Sequence, residues 1–272
     1  MKKFKKVLAL TLAAAMLFTL GGCKKKSPEE VLKAANEKLN KMDSADMDGT
    51  IKMKMSSTSS NSSSFELKMG MKMKATGMTS KDMKMDMDIT TAIAGQDLSV
   101  KAYYKDGYYY MNYSGQKVKQ KMDVEAMQKQ LENSTGQFNT SADNYKDLKM
   151  SKKDGNYVIS FKFKEKAIND YVNKMMGQLN STGSAGSSAN YADQVKFDSM
   201  SGTMTVNKDS EIIAQKINMT VSSKQEPKMS IKMSADFKYN NIGKDVKVTL
   251  PSDLDTYKEA PAASAATTAA SK

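Results

Sequence analysis

Residues 65–93 read FELKMGMKMKATGMTSKDMKMDMDITTAI, and apolar side chains occupy nearly every odd position of this stretch. A period of two is typical of β-strands, because successive side chains of a strand point to opposite faces. The stretch therefore predicts two antiparallel strands that share one methionine-lined face and one charged face in water. A turn is expected near residues 77–81, between the two alternating runs.

The charges on these two runs predict how the strands pair. A turn that is symmetric about residues 78–81 brings lysines of the first run opposite aspartates of the second. Opposite charges that face each other stabilise an antiparallel pair, so this register is favoured over its neighbours. The predicted pairs are Lys72 with Asp88, Lys74 with Asp86, and Met73 with Met87.

The composition excludes several classes of function. The 272 residues contain 42 basic side chains, all of them lysine, with no histidine, no tryptophan and one cysteine. Without histidine there is no Ser-His-Asp triad, no Cys-His pair and no imidazole metal site. The sequence also lacks a Gly-rich phosphate loop, so we expect neither an enzyme nor a cofactor. Nucleic-acid binding is not expected either, because the chain has no arginine and its lysines alternate along strands without forming a patch.

The amino terminus predicts where the protein resides. A lysine-rich start is followed by an apolar run, Val7–Leu20, and then by Gly21, Gly22 and Cys23. The run suits a signal peptide and is too short for an ordinary transmembrane helix, while Leu-Gly-Gly-Cys matches the lipobox, whose cysteine is acylated before cleavage. We expect residues 1–22 to be a lipoprotein signal peptide and residues 23–26 a lipidated tether. Acylated Cys23 would then hold the protein in membrane lipid, on the extracytoplasmic face of the cell membrane.

The charge balance is strongly basic. The net charge is +12, and it falls to +8 once the four lysines before Val7 are removed with the signal peptide. A surplus of this size attracts an anionic envelope polymer or anionic lipid headgroups. The alternative is that the lysines only form solvated strand faces, which discourage edge-to-edge aggregation. The sequence leaves both interpretations open.

The rest of the chain repeats the strand pattern and adds three helices. Ser27-Pro28-Glu29-Glu30 predicts a helix start with a capping box, and the helix is expected to reach about Met42. Amphipathic helices are also expected over residues 123–132 and 168–179. Asp106-Gly107 and Asp154-Gly155 predict tight hairpins. The predicted strands lie at about residues 51–55, 65–75, 83–93, 98–104, 108–113, 148–151, 157–163, 195–206, 211–221, 228–239 and 245–250.

These elements predict an α+β fold with a single large curved antiparallel sheet. About eleven strands joined by short hairpins form an unclosed half-barrel, and the three helices lie against its concave face. A β-sandwich is the competing architecture, although it has no evident use for three helices. Residues 258–272 lack a core pattern and are expected to form a disordered tail.

Several features in this order carry a family resemblance. They are the lipobox, the capped helix, the break over residues 44–49, the long alternating strands, the hairpin YYKDGY at residues 103–108 and the final VTLP at residues 248–251. Together they resemble the LolA-like lipoprotein superfamily over residues 27–257. That superfamily includes the LolA and LolB carriers and the LppX and LprG type lipoproteins, and the chain looks nearest to uncharacterised Gram-positive surface lipoproteins. The resemblance implies an unclosed barrel with a helical lid around a hydrophobic cavity, which holds acyl chains in several members.

Binding of a hydrophobic or amphiphilic ligand, as a lipid carrier or sensor, is the first functional hypothesis. Methionine side chains are flexible and polarizable and suit a promiscuous apolar surface. The candidate ligand cavity is lined by Met53, Met69, Met71, Met73, Met85, Met87, Phe161, Phe163, Met219 and Met233. The alternative to ligand binding for each of these residues is an ordinary position in the hydrophobic core, packed under the helices.

Two further hypotheses accompany this one. Met-x-Met on a strand places two thioethers on one face, and thioethers select Cu(I), but such sites usually recruit a histidine or cysteine that this chain does not offer. The third hypothesis is a non-enzymatic cell-envelope structural or interaction lipoprotein without a ligand cavity, which uses lysine faces and tyrosine-rich strands to meet a wall polymer or another protein.

Overall fold

The computed structural model describes residues 26–57, 64–93, 96–125, 142–170, 195–225, 229–243 and 245–260. The chain begins with helix α1, Pro28–Leu39. Ser27 caps it as predicted: its side chain accepts a hydrogen bond from the Glu30 backbone N–H, and the Glu30 carboxylate accepts one from the Ser27 backbone N–H. The helix ends at Leu39, earlier than the expected Met42.

In the described part of the chain twelve strands follow, and they form one sheet. Their bounds are β1 Ala45–Ser57, β2 Ser64–Thr76, β3 Lys84–Ile93, β4 Gln96–Lys105, β5 Tyr108–Tyr113, β6 Gln116–Lys121, β7 Tyr145–Lys153, β8 Asn156–Phe163, β9 Val195–Val206, β10 Ile212–Ser223, β11 Met229–Ile242 and β12 Lys258–Glu259. Short 3₁₀ turns lie at Ala142–Asn144 and Leu254–Thr256.

The strand order is β12-β6-β5-β4-β3-β2-β1-β11-β10-β9-β8-β7, so β1 and β11 join two halves of the chain. Every neighbouring pair is antiparallel except β12 with β6, which is parallel. The edges are β12 and β7, which are not paired with each other, so the sheet is unclosed. The predicted single large antiparallel sheet is therefore present, with one parallel pair added at an edge.

The predicted register of the central hairpin is confirmed. In the β2/β3 pair, lysines and aspartates face each other as the charge pattern required, with methionines opposite each other between them. Gly77 begins the turn with a φ of 66°, in the left-handed region that glycine adopts without steric cost. The confirmed pairs are Lys72 with Asp88, Lys74 with Asp86, and Met73 with Met87.

The strand count differs from the prediction in three places. The expected strand at residues 245–250 is not formed, although its side chains alternate. Strand β6 was not predicted, because Gln116–Lys121 carries a single apolar residue, Val118. Strand β12 lies within the segment expected to be disordered, and it extends the ordered chain two residues past residue 257.

The three predicted helices are only partly described. Helix α1 is the one complete α-helix among the described residues, and residues 124–125 and 165–170 are also helical. The remainder of the helices expected at residues 123–132 and 168–179 lies outside the described residues. The signal peptide, Cys23 and residues 261–272 also lie outside them.

One face of the sheet is apolar, and it carries α1 at one end. Val31, Leu32 and Ala35 of the helix are buried against a cluster on strands β7–β10. The sheet side of this cluster consists of Tyr145, Ile159, Phe161, Met204, Val206 and Ile212. Because an amphipathic helix and a half-apolar sheet each need a partner for their apolar side, this packing places the core between them.

The carboxyl-terminal segment crosses the opposite, polar face. The Lys117 ammonium lies 2.6 Å from a carboxylate oxygen of Asp253, and Tyr257 packs edge-on against Tyr110 with ring centroids 5.5 Å apart. Tyr257 is only 4% exposed. Strand β12 then pairs with β6, so this segment covers one edge of the sheet. The other edge strand, β7, carries exposed lysines at positions 146, 149, 152 and 153.

We predict that Leu32→Ala lowers the free energy of unfolding by about 2–5 kcal/mol, because it empties a fully buried position between α1 and the sheet. Urea unfolding followed by circular dichroism measures the change. Lys33→Ala, on the exposed side of the same helix, is the control and is expected to leave the transition in place. Equal transitions for the two variants would contradict the packing of α1.

We also predict that the protein loses stability as pH rises from about 10 to about 12. Burial raises the pKa of Tyr145 to about 12 from its ordinary value of 10.0. Below pH ~10 this tyrosine is neutral in both states and its contribution is complete. Between the two pKa values only the unfolded state ionises, which favours unfolding by at most roughly 3 kcal/mol.

Urea unfolding at a series of alkaline pH values tests this behaviour. Tyr145→Phe is expected to flatten the decline, and Tyr113→Phe, at a 43% exposed position, is expected to follow the parent protein. A Tyr145→Phe profile with the same slope as the parent would refute the prediction.

Candidate functional site

The apolar face carries a ladder of methionines across neighbouring strands. Met219 on β10 lies opposite Met233 on β11, Met233 lies opposite Met53 on β1, and Met53 lies opposite Leu67 on β2. We call these four residues the methionine ladder. Side chains directly opposite each other in antiparallel strands point to the same face and contact one another. All four are half-buried.

On strands β1–β3 and β11, burial on this face is greater at one end than at the other. At the end that carries α1 and the turn after β2, which we call the closed end, Ala45, Ala75 and Met85 are at most 3% exposed. At the other end, which we call the open end, Phe65 is 44% and Met229 is 38% exposed. The methionine ladder lies next to the open end, so on these strands the apolar face is covered at one end and accessible at the other.

Two further clusters of buried residues lie on the covered part of the apolar face. At the closed end Met83, Met85 and Tyr104 form a buried cluster with Val124 packed against it, and the Tyr104 hydroxyl donates a hydrogen bond to the Met122 carbonyl. In the middle of the face, Ile168 of the helical residues 165–170 is 2% exposed. It packs with Met200, Ile217 and Ala235 of the sheet. The helical residues 124–125 and 165–170 therefore lie on the same face as α1.

The ten predicted cavity residues separate into two groups. The first group is packed into the core clusters or against them: Met73, Met85, Met87, Phe161 and Phe163. The second group is half-buried, outside those clusters: Met53, Met69, Met71, Met219 and Met233. The second group is the part of the prediction that lies outside the packed core clusters.

A groove among the described residues lies on the other face. It measures about 810 Å³. Its lining residues are Lys52, Met53, Lys54, Glu66, Leu67, Lys68, Ala92, Asn218, Met219, Thr220, Lys232, Met233 and Ser234. Strand alternation puts the four ladder residues on the apolar face and the other nine on the polar face. The predicted methionine-lined cavity stays a prediction, and the groove is a feature that sequence reasoning missed.

A smaller groove of about 340 Å³ adjoins it and shares Asn218. It is also lined mainly by polar-face side chains, among them Lys149, Lys162 and Lys216. Lysines of β1 and β2 alternate in the sequence, which is a signal for the polar face. The meeting of these strands with β10 and β11 is non-local, and no short-range pattern predicts it.

Ionisable groups with shifted pKa values lie away from both features. Burial and the neighbouring Asp88 raise the pKa of Asp86, and burial raises the pKa of Tyr103 to about 12. Hydrogen bonds from Thr79 lower the pKa of Asp43 at the turn after β2. The described residues contain no group of three or more His, Cys, Asp or Glu side chains that could hold a metal ion. None of the helices in the described part of the chain is long and apolar enough to cross a membrane.

Comparison with known families finds one family model that matches most of the chain. The model is described as a family of unknown function, DUF6612, and it matches residues 27–258. This match begins at the helix cap and ends in β12, so it includes the described sheet except for Glu259. No curated protein matches the chain by sequence.

Comparison with solved structures finds more distant likenesses. LprF from Mycobacterium bovis is 9% identical with a TM-score of 0.44, covering 82% of this chain and 96% of its own. The lipoprotein LppX from Mycobacterium tuberculosis is 7% identical with a TM-score of 0.40, covering 82% and 98%. A LolA superfamily protein from Nitrosomonas europaea is 8% identical with a TM-score of 0.19, covering 83% and 96%. These neighbours are of the types that the sequence resemblance names, but at these TM-scores neither a ligand nor an activity follows from them.

Proposed function

The chain belongs to the DUF6612 family, whose function is unknown, and we propose that it is a membrane-anchored extracytoplasmic lipoprotein that binds a hydrophobic or amphiphilic ligand. In this proposal the ligand lies on the methionine-lined apolar face, and the protein acts as a lipid carrier or sensor rather than as an enzyme. Acylated Cys23 supplies the anchor.

One observation carries the proposal: the methionine ladder is half-buried and continues to the exposed Phe65 and Met229 on the same face. A filled core would bury this row as fully as Met85 is buried at the closed end. Large apolar side chains that stay accessible side by side favour binding of an apolar partner. Each methylene of an acyl chain that leaves water for such a surface contributes about 0.8 kcal/mol.

The residue types at this site suit a ligand of variable shape. Met53, Met219 and Met233 have unbranched side chains that adapt to irregular surfaces, whereas an aromatic ring would impose one geometry. The open end offers an entry route between Phe65 and Met229. At the closed end, α1 and the Met83 cluster cover the apolar face, and this limits how far a bound acyl chain extends.

The alternative is an interaction lipoprotein of the cell envelope without a ligand cavity. It is favoured by the location of the 810 Å³ groove, which opens on the polar face. A lipid carrier or sensor is expected to retain a bound ligand on purification, and an interaction lipoprotein is not. The experiments below separate these two functions.

We predict that Cys23→Ser releases the protein from the membrane, because the sole cysteine of the chain would carry the acyl anchor. Fractionation of cells that express the parent or the variant measures the distribution. Ser27→Ala, which alters the helix cap and leaves the cysteine in place, is the control and is expected to stay with the membrane. A membrane-bound Cys23→Ser protein would overturn the anchoring proposal.

We predict that the chain from Lys24 to Lys272, purified gently from its own host, carries a discrete adduct of several hundred daltons in native mass spectrometry. Organic extraction is expected to remove the adduct, and a fluorescent palmitate analogue is expected to occupy the emptied site. A clean mass together with no uptake of the analogue would leave the interaction lipoprotein as the working model.

A pair of double variants locates the ligand in the same assay. Met53→Gln with Met233→Gln is expected to weaken binding of the palmitate analogue at least about tenfold, because two amides replace apolar contacts. Lys101→Gln with Lys238→Gln, on the polar face, is expected to leave the affinity unchanged. Met53→Leu with Met233→Leu keeps the surface apolar and is expected to retain binding, which separates lost contacts from lost folding. Equal affinities in all three would place the ligand elsewhere.

A further inference from the structure

Several lysines on the polar face of the sheet lie opposite or beside acids. In the β2/β3 pair Lys72 faces Asp88 and Lys74 faces Asp86. The Lys216 ammonium lies 2.8 Å from Asp236, and the Lys162 ammonium lies 3.5 Å from Asp147. Lysines that face acids in this way make a neutral, solvated strand surface.

The lysines that line the large groove are arranged differently, because they lie opposite other lysines. Lys52 on β1 lies directly opposite Lys68 on β2, and Lys54 on β1 lies directly opposite Lys232 on β11. Like charges directly opposite each other in an antiparallel pair destabilise the sheet. Two such pairs stand on consecutive polar-face positions of β1, so four lysines are neighbours on one part of the polar face.

Only one of these four lysines has an acidic partner among the described residues. The Lys54 ammonium lies 3.1 Å from the Glu66 carboxylate. Within the described ranges, Lys52, Lys68 and Lys232 have no carboxylate within 4.0 Å, and all three are exposed. The local charge is therefore uncompensated in the absence of a bound anion.

The shape of the site selects among anions. The groove measures about 810 Å³, and Asn218, Thr220 and Ser234 add hydrogen-bonding side chains to its wall. Opposed strand positions are about 5 Å apart and alternate positions along a strand are about 7 Å apart, so the lysines can contact several anionic groups of one chain at once. A concave site of this kind admits a flexible linear chain, whereas a flat bilayer surface does not enter it.

We propose that this groove, defined by Lys52, Lys54, Lys68 and Lys232 and called the lysine groove, binds a linear polyanion that carries several phosphate groups. The bound phosphates neutralise the opposed lysine pairs and so remove a repulsion that the unbound sheet tolerates. The site lies on the face opposite the methionine ladder, so it is independent of lipid binding. One molecule can thus hold an apolar ligand on one face and an envelope polymer on the other.

Linear inorganic polyphosphate with a fluorescent label is the probe, and its binding to the chain from Lys24 to Lys272 is followed by anisotropy at several salt concentrations. The test variant is Lys52→Gln with Lys68→Gln and Lys232→Gln. The matched control is Lys72→Gln with Lys74→Gln and Lys216→Gln, which removes the same charge from polar-face lysines that face acids. Both leave Lys54 and Glu66 in place.

The test variant is expected to lose at least about tenfold in affinity, and its salt slope is expected to fall by about two, since each lost phosphate contact removes roughly 0.7. The control is expected to bind within about twofold of the parent. Equal losses in the two variants would overturn the proposal, because they would reduce binding to net charge. Binding to phosphatidylglycerol vesicles without binding to polyphosphate would also overturn it in favour of a lipid surface.

Thermal unfolding provides a second readout that does not need the ligand. Lys68→Gln is expected to raise the unfolding temperature at low salt, because it removes one of the opposed pairs, and the gain is expected to shrink as salt screens the charges. Lys72→Gln, which removes a lysine that faces Asp88, is expected to lower it or leave it unchanged. A lower unfolding temperature for Lys68→Gln would contradict the repulsion on which the proposal rests.

Discussion

The pairing of β1 with β11 is the contact on which the rest of the sheet depends. It joins the half built from β1 to β6 with the half built from β7 to β11, and it matches strands that lie far apart in the chain. Because side chains alternate between faces, a slip of one residue would exchange methionines and lysines across half of the sheet. The ladder of Met233 and Met53 and the opposed pair of Lys232 and Lys54 both follow from this register. A single backbone alignment therefore sets both candidate binding surfaces.

Local sequence signals were sufficient to predict strand pairing where the paired strands are adjacent in the chain. The β2/β3 register could be predicted because a glycine turn, two alternating runs and four charges all agree. The hairpins at Asp106-Gly107 and Asp154-Gly155 followed for the same reason, with all four residues at positive φ. Ser114-Gly115 closes a third such hairpin, and it was missed because β6 is too polar to resemble a strand. Residues 245–250 show the reverse case, since they alternate like a strand but form none.

The candidate sites depend on information that short windows do not contain. Alternation identified which face each methionine occupies, and that part of the prediction agrees with the register. It could not distinguish buried Met85 from half-buried Met53, because that difference arises from where the helices pack. The lysine groove needs β1, β2, β10 and β11 side by side. Loop closure between such distant segments is decided by the whole fold and leaves no local pattern.

The two free edges of the sheet affect how protein molecules packed at high surface density contact one another. An unclosed sheet exposes backbone donors and acceptors at each edge, and those edges can recruit strands from neighbouring molecules. Here one edge consists of the two residues of β12 and the part of the lysine-rich β6 that β12 does not pair with, and the other, β7, carries exposed lysines at four of its nine positions. If molecules are crowded on a surface, their β7 edges repel one another through like charges, and β12 offers only two residues for strand pairing. Both edges therefore discourage the addition of strands from neighbouring molecules.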